Sequence, residues 1–286
     1  MQFPRISIVT PSFNSANTIR DTIESVHRQR YPNLEHFVID GGSTDATLAI
    51  IREYPHLLWT SEKDQGHYDA MNKGIARCTG EVIGILNSDD CYRDGALHKV
   101  AEGFQRHPDW DGLFCDVIYV DQQGKKIFGR KEACYDYDVL RFGGVCYILH
   151  PTLFLKKAVY DRLGGYKHHE YLNCCDVDLI LRLGRNACKI GHIPEFLVNY
   201  RFHEHGQSAD LRVARNMAAE YARIRQEHGC PSGMLGSVAG GYARVRRQCQ
   251  KLLYRGSCDL IPGRWILKKY MREKTTFSSN IGVDRL

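Results

Sequence analysis

Two adjacent carboxylates, Asp89 and Asp90, stand just behind the apolar run Val82-Ile83-Gly84-Ile85-Leu86. Two acids at the end of a buried strand repel, and one is pushed towards protonation unless a positive charge neutralises them. Hard oxygen ligands in an open cleft suit Mg2+ or Mn2+, with diphosphate oxygens as further ligands. A plain N-cap for a helix over 94–107 would need only one of the two. A second acidic element is Asp40-Gly41-Gly42-Ser43-Thr44-Asp45, whose glycines allow close backbone approach and whose Ser43 is placed to start a helix. Asp40 is then expected to point into the cleft as an acceptor for a base N–H or a sugar hydroxyl, with Asp45 a dipole partner in the first turn. The third element is Cys175-Asp176-Val177-Asp178-Leu179-Ile180-Leu181-Arg182. Asp176 and Asp178, two apart on a helix, face different ways, and Asp178 can pair with Arg182 four residues on. Asp176 is the freer carboxylate and the better general base, although a plain first-turn acid fits the same spacing. His203 and His205 alternate within Tyr200-Arg201-Phe202-His203-Glu204-His205 and can share one strand face; on sequence alone a structural role is the commoner one for such histidines.

These residues need a frame to hold them. Strands are expected at 6–9, 35–39, 57–60 and 82–86, separated by helices through Ile19-Ile23-Val26, through Leu48-Ile51 after Ser43, and over 68–77. Strands alternating with helices of this length imply right-handed crossovers and a doubly wound, mostly parallel α/β sheet. Such sheets bind ligands at the carboxyl edges of their strands. Here those edges carry Thr10-Pro11-Ser12, Asp40-Gly41-Gly42, Ser61-Glu62 and Asn87-Ser88-Asp89-Asp90. A dinucleotide fold would place G-x-G-x-x-G after the first strand; Thr10-Pro11-Ser12-Phe13-Asn14-Ser15 excludes that reading. Beyond Asp111 strands are expected at 112–120, 152–155, 187–193 and 196–202, with a helix over 176–185. The expected organisation is a catalytic domain over 1–207, made of a nucleotide-binding half (1–110) and an acceptor-binding half (111–207), followed by a helical basic extension over 208–286.

The chain has 286 residues, 43% hydrophobic and 25% charged, which excludes a disordered chain, a collagen-like rod and a disulfide-stapled miniprotein. Its eleven cysteines include no C-x-x-C pair and read as reduced thiols. With neither a secretory leader nor an apolar run of about 20 residues, a cytoplasmic protein is expected. The net charge of +6 is uneven: residues 241–286 hold 11 Lys/Arg against three acids. A basic tail on a near-neutral body points to an anionic surface rather than to nucleic acid. In that tail Leu235, Val238, Ala239, Tyr242, Val245, Cys249, Leu252 and Leu253 keep helical spacing over an arc of roughly 140°. Arg244, Arg247, Lys251 and Arg255 lie opposite, and Trp265, Ile266 and Leu267 adjoin Lys268 and Lys269. Two readings stand: peripheral contact with an anionic membrane, or packing of the apolar stripe on the catalytic domain or a second subunit with the charges solvated.

The motifs Thr10-Pro11-Ser12-Phe13-Asn14, Ile39-Asp40-Gly41-Gly42-Ser43-Thr44-Asp45, Tyr68-Asp69-Ala70-Met71-Asn72-Lys73-Gly74 and Leu86-Asn87-Ser88-Asp89-Asp90 resemble those of the family 2 glycosyltransferases with the GT-A fold. Asp176-Val177-Asp178-Leu179, Leu181-Arg182-Leu183 and Tyr200-Arg201-Phe202-His203 continue the resemblance in order, over roughly residues 4–207. The resemblance implies an inverting transfer of a sugar from a nucleotide donor, a UDP-sugar first among them, with Mg2+ or Mn2+, to a glycan or lipid-linked acceptor of the bacterial polysaccharide or lipopolysaccharide type. It implies that Thr10, Pro11, Asn14, Asp40, Asp64, Asn72 and Asp89 line the donor nucleotide and that Asp90 ligates the metal. It further implies that His203 lies near the metal and diphosphate and that Asp176 deprotonates the acceptor. Three departures stand out. Asn87 occupies a position where many members carry an acid, Cys175 replaces the acid that commonly precedes the base, and the Q-x-x-R-W of processive synthases is missing. The loop over 143–151 and the region of His168-His169-Glu170 are expected to shape the acceptor side. Among rivals, a glycosidase would need two carboxylates flanking the bond. A sugar-phosphate nucleotidyltransferase wants a Gly-rich loop with Arg and Lys where Phe13-Asn14-Ser15 stands, and a degenerate partner subunit would keep the fold without turnover.

Overall fold

The computed structural model describes residues 3–144, 146–202, 211–231 and 233–255, together with Ile266. Strand β1 (Ile6–Ser12) is buried along its whole length, as the β-branched run Ile-Ser-Ile-Val favours. Helix α1 (Ile19–His27) turns Ile19, Ile23 and Val26 inward and leads to β2 (Leu34–Asp40). Then follow α2 (Thr47–Arg52), β3 (Leu58–Ser61), α3 (His67–Arg77), β4 (Val82–Ile85), the short β5 (Cys91–Tyr92) and α4 (Ala96–Arg106). The second half contains β6 (Gly112–Val120), β7 (Lys126–Arg130), α5 (Tyr137–Gly143), β8 (Leu153–Lys156), α6 (Lys157–Leu163), α7 (Cys175–Arg185) and β9 (Ile190–Arg201). Two further helices, α8 (Leu211–Glu227) and α9 (Gly233–Arg255), follow.

One nine-stranded sheet runs in the order β3-β2-β1-β4-β8-β6-β9-β5, with β7 paired to β6. Strands β3, β2, β1 and β4 are parallel, β8 is antiparallel to both β4 and β6, and β9 is parallel to β6. Apolar clusters fill both faces of this mostly parallel sheet. Helix α3 lies tight against it because Gly74 has no side chain: a Cβ there would stand 2.3 Å from Val9 Cγ1.

Three local expectations are corrected. Ser43 does not start a helix; α2 begins at Thr47, and Ser43 instead donates to Asp40 and accepts from the Asn14 amide. The stretches 187–193 and 196–202 form a single strand, β9, carried across Pro194 by register shifts against Asp116. In the extension the apolar stripe does not pack on the domain, nor are its cations merely solvated. Gly240 and Ala243 bury the helix against α5, Lys251 is buried, and Leu235, Val238, Val245 and Leu253 are exposed.

Candidate active site

Strand β4 ends in a turn that presents Asn87, Ser88, Asp89 and Asp90. Asp90 is buried, its oxygens accepting from the Arg201 amide at 2.9 Å and Asn87 Nδ2 at 3.2 Å. Both donors are neutral. Burial, reinforced by the neighbouring Asp89, holds the Asp90 carboxyl well above the usual carboxylate range. Asp89 lies alongside, its carbonyl receiving Arg201 Nε at 2.9 Å. It borders a cavity of about 500 Å3, also lined by Asp21, Arg93, Lys99, Glu195 and Arg201. That cavity lies against β5 and β9, away from the ends of β1 and β2.

The loops after β1 and β2 are tied together. Asn14, with φ of 47°, accepts from the Thr44 amide at 2.9 Å and donates its own amide to Ser43 Oγ at 2.7 Å. Asp40 was expected to face the cleft. It is fully buried instead, accepting from the amides of Gly42 and Ser43 and from the hydroxyls of Ser43 and Ser61. The amides of Gly42 and Ser43 are therefore committed to Asp40. Gly41 lets Asp64 approach: a Cβ there would meet Asp64 Oδ2 at 2.4 Å. Thr10 is also buried, its hydroxyl 3.0 Å from His36 Nε2, and Pro11 is covered beside it. Burial pushes His36 down to about 3, which keeps it neutral. Ser12, the last residue of β1, is 4% exposed and its Oγ has no partner among the described residues. It is the buried polar atom best placed to receive a ligand at this edge, and nothing in its spacing marked it.

Asp176 occupies the first turn of α7 and accepts from Tyr68 Oη at 2.8 Å. Burial raises its carboxyl, and the Tyr68 hydrogen bond offsets part of that rise. His67, adjoining Tyr68, is pushed down to about 4 by burial and by His150, so the group around Asp176 is neutral apart from the carboxylate. Asp178 points the other way, as its spacing implied: it is buried and accepts from Arg182 Nε at 2.7 Å. Arg182 also donates to the carbonyls of Leu163 and Gly165, fixing the loop that precedes the site. Asn72 serves that same loop. Its amide clamps both the N–H and the carbonyl of Tyr166 and lies 3.1 Å from His168 Nδ1, which accounts for its side chain without a nucleotide. Asp90 and Asp176 belong to separate hydrogen-bonded groups, one resting on α1 and β9, the other on α3. His203 lies outside the described residues, as does His205.

Two participants were not legible from local sequence. Tyr68 sits in a quoted motif, but its partner is 108 positions away. Glu220, on α8, accepts from the amides of Leu172, Asn173 and Cys174 at 2.9–3.0 Å, so a carboxylate from another helix caps the turn into α7.

Comparison with known proteins agrees with this architecture. Residues 7–164 match the family model described as Glycosyl transferase family 2. A PGL/p-HBAD biosynthesis glycosyltransferase of Mycobacterium tuberculosis is 31% identical over 197 residues, 66% of this chain and 73% of that protein. The O-antigen biosynthesis protein RfbC of Myxococcus xanthus is 31% identical over 207 residues, 69% of this chain but 16% of that one. Among solved structures, the mannosyltransferase PcManGT from Pyrobaculum calidifontis in complex with GDP-Man and Mn2+ aligns with a TM-score of 0.62 at 19% identity, covering 96% of this chain and 81% of that one. S. aureus TarS in complex with UDP aligns at 0.58 and 20% identity, covering 79% and 71%. At these identities the likeness shows the fold, GT-A. With the family model over more than half its length and a relative above 30% identity, the chain belongs to glycosyl transferase family 2.

Proposed function

We propose that this glycosyltransferase moves a sugar from a nucleotide donor, a UDP-sugar first among them, to a hydroxyl of a glycan or lipid-linked acceptor with inversion at the anomeric carbon. The observation that carries the reading is Asp176: a half-buried carboxylate, raised by burial and held by Tyr68, in a setting of neutral imidazoles. Such a carboxylate suits proton removal near neutral pH, worth about 10²–10⁴-fold in rate.

The donor set at β4 fits a hard divalent ion. Among the described residues no three of His, Cys, Asp and Glu converge, but Mg2+ and Mn2+ commonly take one or two carboxylates and complete their shell with phosphate oxygens. Asp90, with Asp89 beside it, would hold the ion, and His203 is the further ligand that the family resemblance implies. Bound there, the ion would supply positive charge against the leaving diphosphate. The chain does the rest: Asp40 orders the loop that Asn14 and Asp64 border, Ser12 offers a hydroxyl at the strand edge, and Asp176 takes the acceptor proton. The Mn2+ in the Pyrobaculum mannosyltransferase supports a metal role here, and the UDP and GDP-Man in the two solved structures support a nucleotide-sugar donor.

Asp176→Asn tests the assignment. Turnover should fall by about 10²-fold or more, while calorimetry finds nucleotide affinity little changed, because a base acts on the acceptor. Loss of nucleotide affinity would make Asp176 a donor or structural residue. In Tyr68→Phe the hydrogen bond that lowers Asp176 is gone, so the acidic limb of the pH–rate profile should move to higher pH.

A further inference from the structure

Helix α9 is amphipathic with its faces reversed. Arg247 donates to both oxygens of Glu132, Arg246 reaches Asp136 at 2.7 Å, Arg255 reaches Asp116 at 2.6 Å, and Lys251 is 1% exposed at 3.9 Å from Glu132. These ion pairs fix the rotation of the helix about its own axis. On the other side Met234, Leu235, Val238, Val245, Leu252 and Leu253 are 57–81% exposed. With Tyr242 and Cys249 they fall within an arc of about 100° at 100° per residue. Among the described residues of α9, Arg244 is the one charged residue exposed to solvent as a whole. A contiguous apolar face of this size on a water-facing surface marks an interaction site.

We infer that this face lies in the interfacial layer of an anionic membrane. A helix of 23 residues is about 35 Å long, and a stripe about 10 Å wide along it offers about 350 Å2. A stable protein–protein interface buries about 800 Å2 per partner, so a second copy has too little to hold, whereas a bilayer needs no matching surface. Charge agrees: α9 runs directly into residues 256–286, whose sequence holds six Lys/Arg against three acids, with Trp265 and Tyr270 among them. Aromatic and cationic side chains of this kind complement anionic headgroups. Among the described residues no helix is long and apolar enough to cross a membrane, so the contact lies in the plane of the interface. Three of the four cations that the sequence offered to lipid are not the agents: Arg247, Lys251 and Arg255 reach buried acids, and the apolar residues opposite them do the binding.

Full-length protein is sedimented with phosphatidylglycerol–phosphatidylcholine vesicles, without donor or acceptor, so the result does not depend on transfer chemistry. The wild type should pellet, and Val238→Glu/Val245→Glu should lose partition by about tenfold or more at unchanged melting temperature, since both side chains are exposed. Wild type left in the supernatant, or a variant that pellets equally, overturns the inference. So does light scattering that shows a dimer turned monomeric by the variant with no vesicle binding, which would give the face to a second copy. Binding abolished by Trp265→Ala but indifferent to the α9 variant would assign it to the tail alone, and also overturns it.

Discussion

Among the buried acids of the described residues, one group on the β6 side and Asp90 at the end of β4 differ in what answers their charge. Asp116, Glu132 and Asp136 lie on β6, behind β7 and at the start of α5. Cations meet each of them: Arg255 at Asp116, Arg130 and Arg247 at Glu132, Arg246 at Asp136. Asp90 is equally buried, yet the groups that donate to it are a backbone amide and a side-chain amide. Burying a carboxylate is costly unless it is paired. The first group meets that cost with residues of the same chain and is structural. The second leaves a raised carboxyl at the end of a central strand, the condition under which a divalent ion binds with gain.

The largest effect should come from ending the chain after Cys230, which removes every α9 cation at once. Among the described residues Asp136 is left with no cation, while Glu132 and Asp116 keep only Arg130 and His192. Breaking a buried pair costs about 3–5 kcal/mol, and two or three such losses consume the 5–15 kcal/mol that holds a typical domain together. Thermal melting should therefore show no cooperative transition in the shortened chain; a normal melt would break the comparison. Next, Glu132→Gln should destabilise by about 3 kcal/mol by removing the buried carboxylate that Arg130 and Arg247 share, read as a drop in melting temperature.

Asp90→Asn should do the opposite. A carboxyl raised on folding costs stability as pH climbs from its ordinary value towards the raised one, so the amide should be at least as stable as wild type at pH 7, while transfer is lost. Saturating Mn2+, at about a hundred times its Kd, should add about 2.7 kcal/mol to the wild type and nothing to Asp90→Asn. Full activity in excess EDTA would remove the metal from the scheme. The smallest effect belongs to the exposed helix face. Leu253→Ala on α9, where the side chain is 80% exposed, should change stability by no more than about 0.5 kcal/mol. Leu97→Ala on α4, fully buried, should cost about 2–5 kcal/mol.

The alternation of strands and helices was legible because its signal is local. Apolar periodicity places 6–9, 35–39 and 82–86 as strands within a residue or two of the ends of β1, β2 and β4, apart from three further residues of β1, and 112–120 coincides with β6. The pairing of Asp178 with Arg182 was legible for the same reason, since four residues on a helix is a fixed distance. Asp40 was read in the right place and turned the wrong way. Its spacing put it at the edge, but whether the side chain points outward or curls back onto Gly42 and Ser43 depends on the loop between them.

What the sequence alone determined is what repeats along the chain: the order of elements, the acids that end the parallel strands, the two faces of α7 and α9. What only tertiary structure decided is what each face meets. An amphipathic period states that a helix has an apolar side and a charged side, and it does not state which turns inward. For α9 the choice belongs to Asp116, Glu132 and Asp136, more than a hundred residues earlier, whose buried charge outweighs the apolar stripe. Glu220 capping the turn before Asp176 and Tyr68 holding its carboxylate are of the same kind. Each is a contact between segments whose separation along the chain carries no trace of their meeting in space.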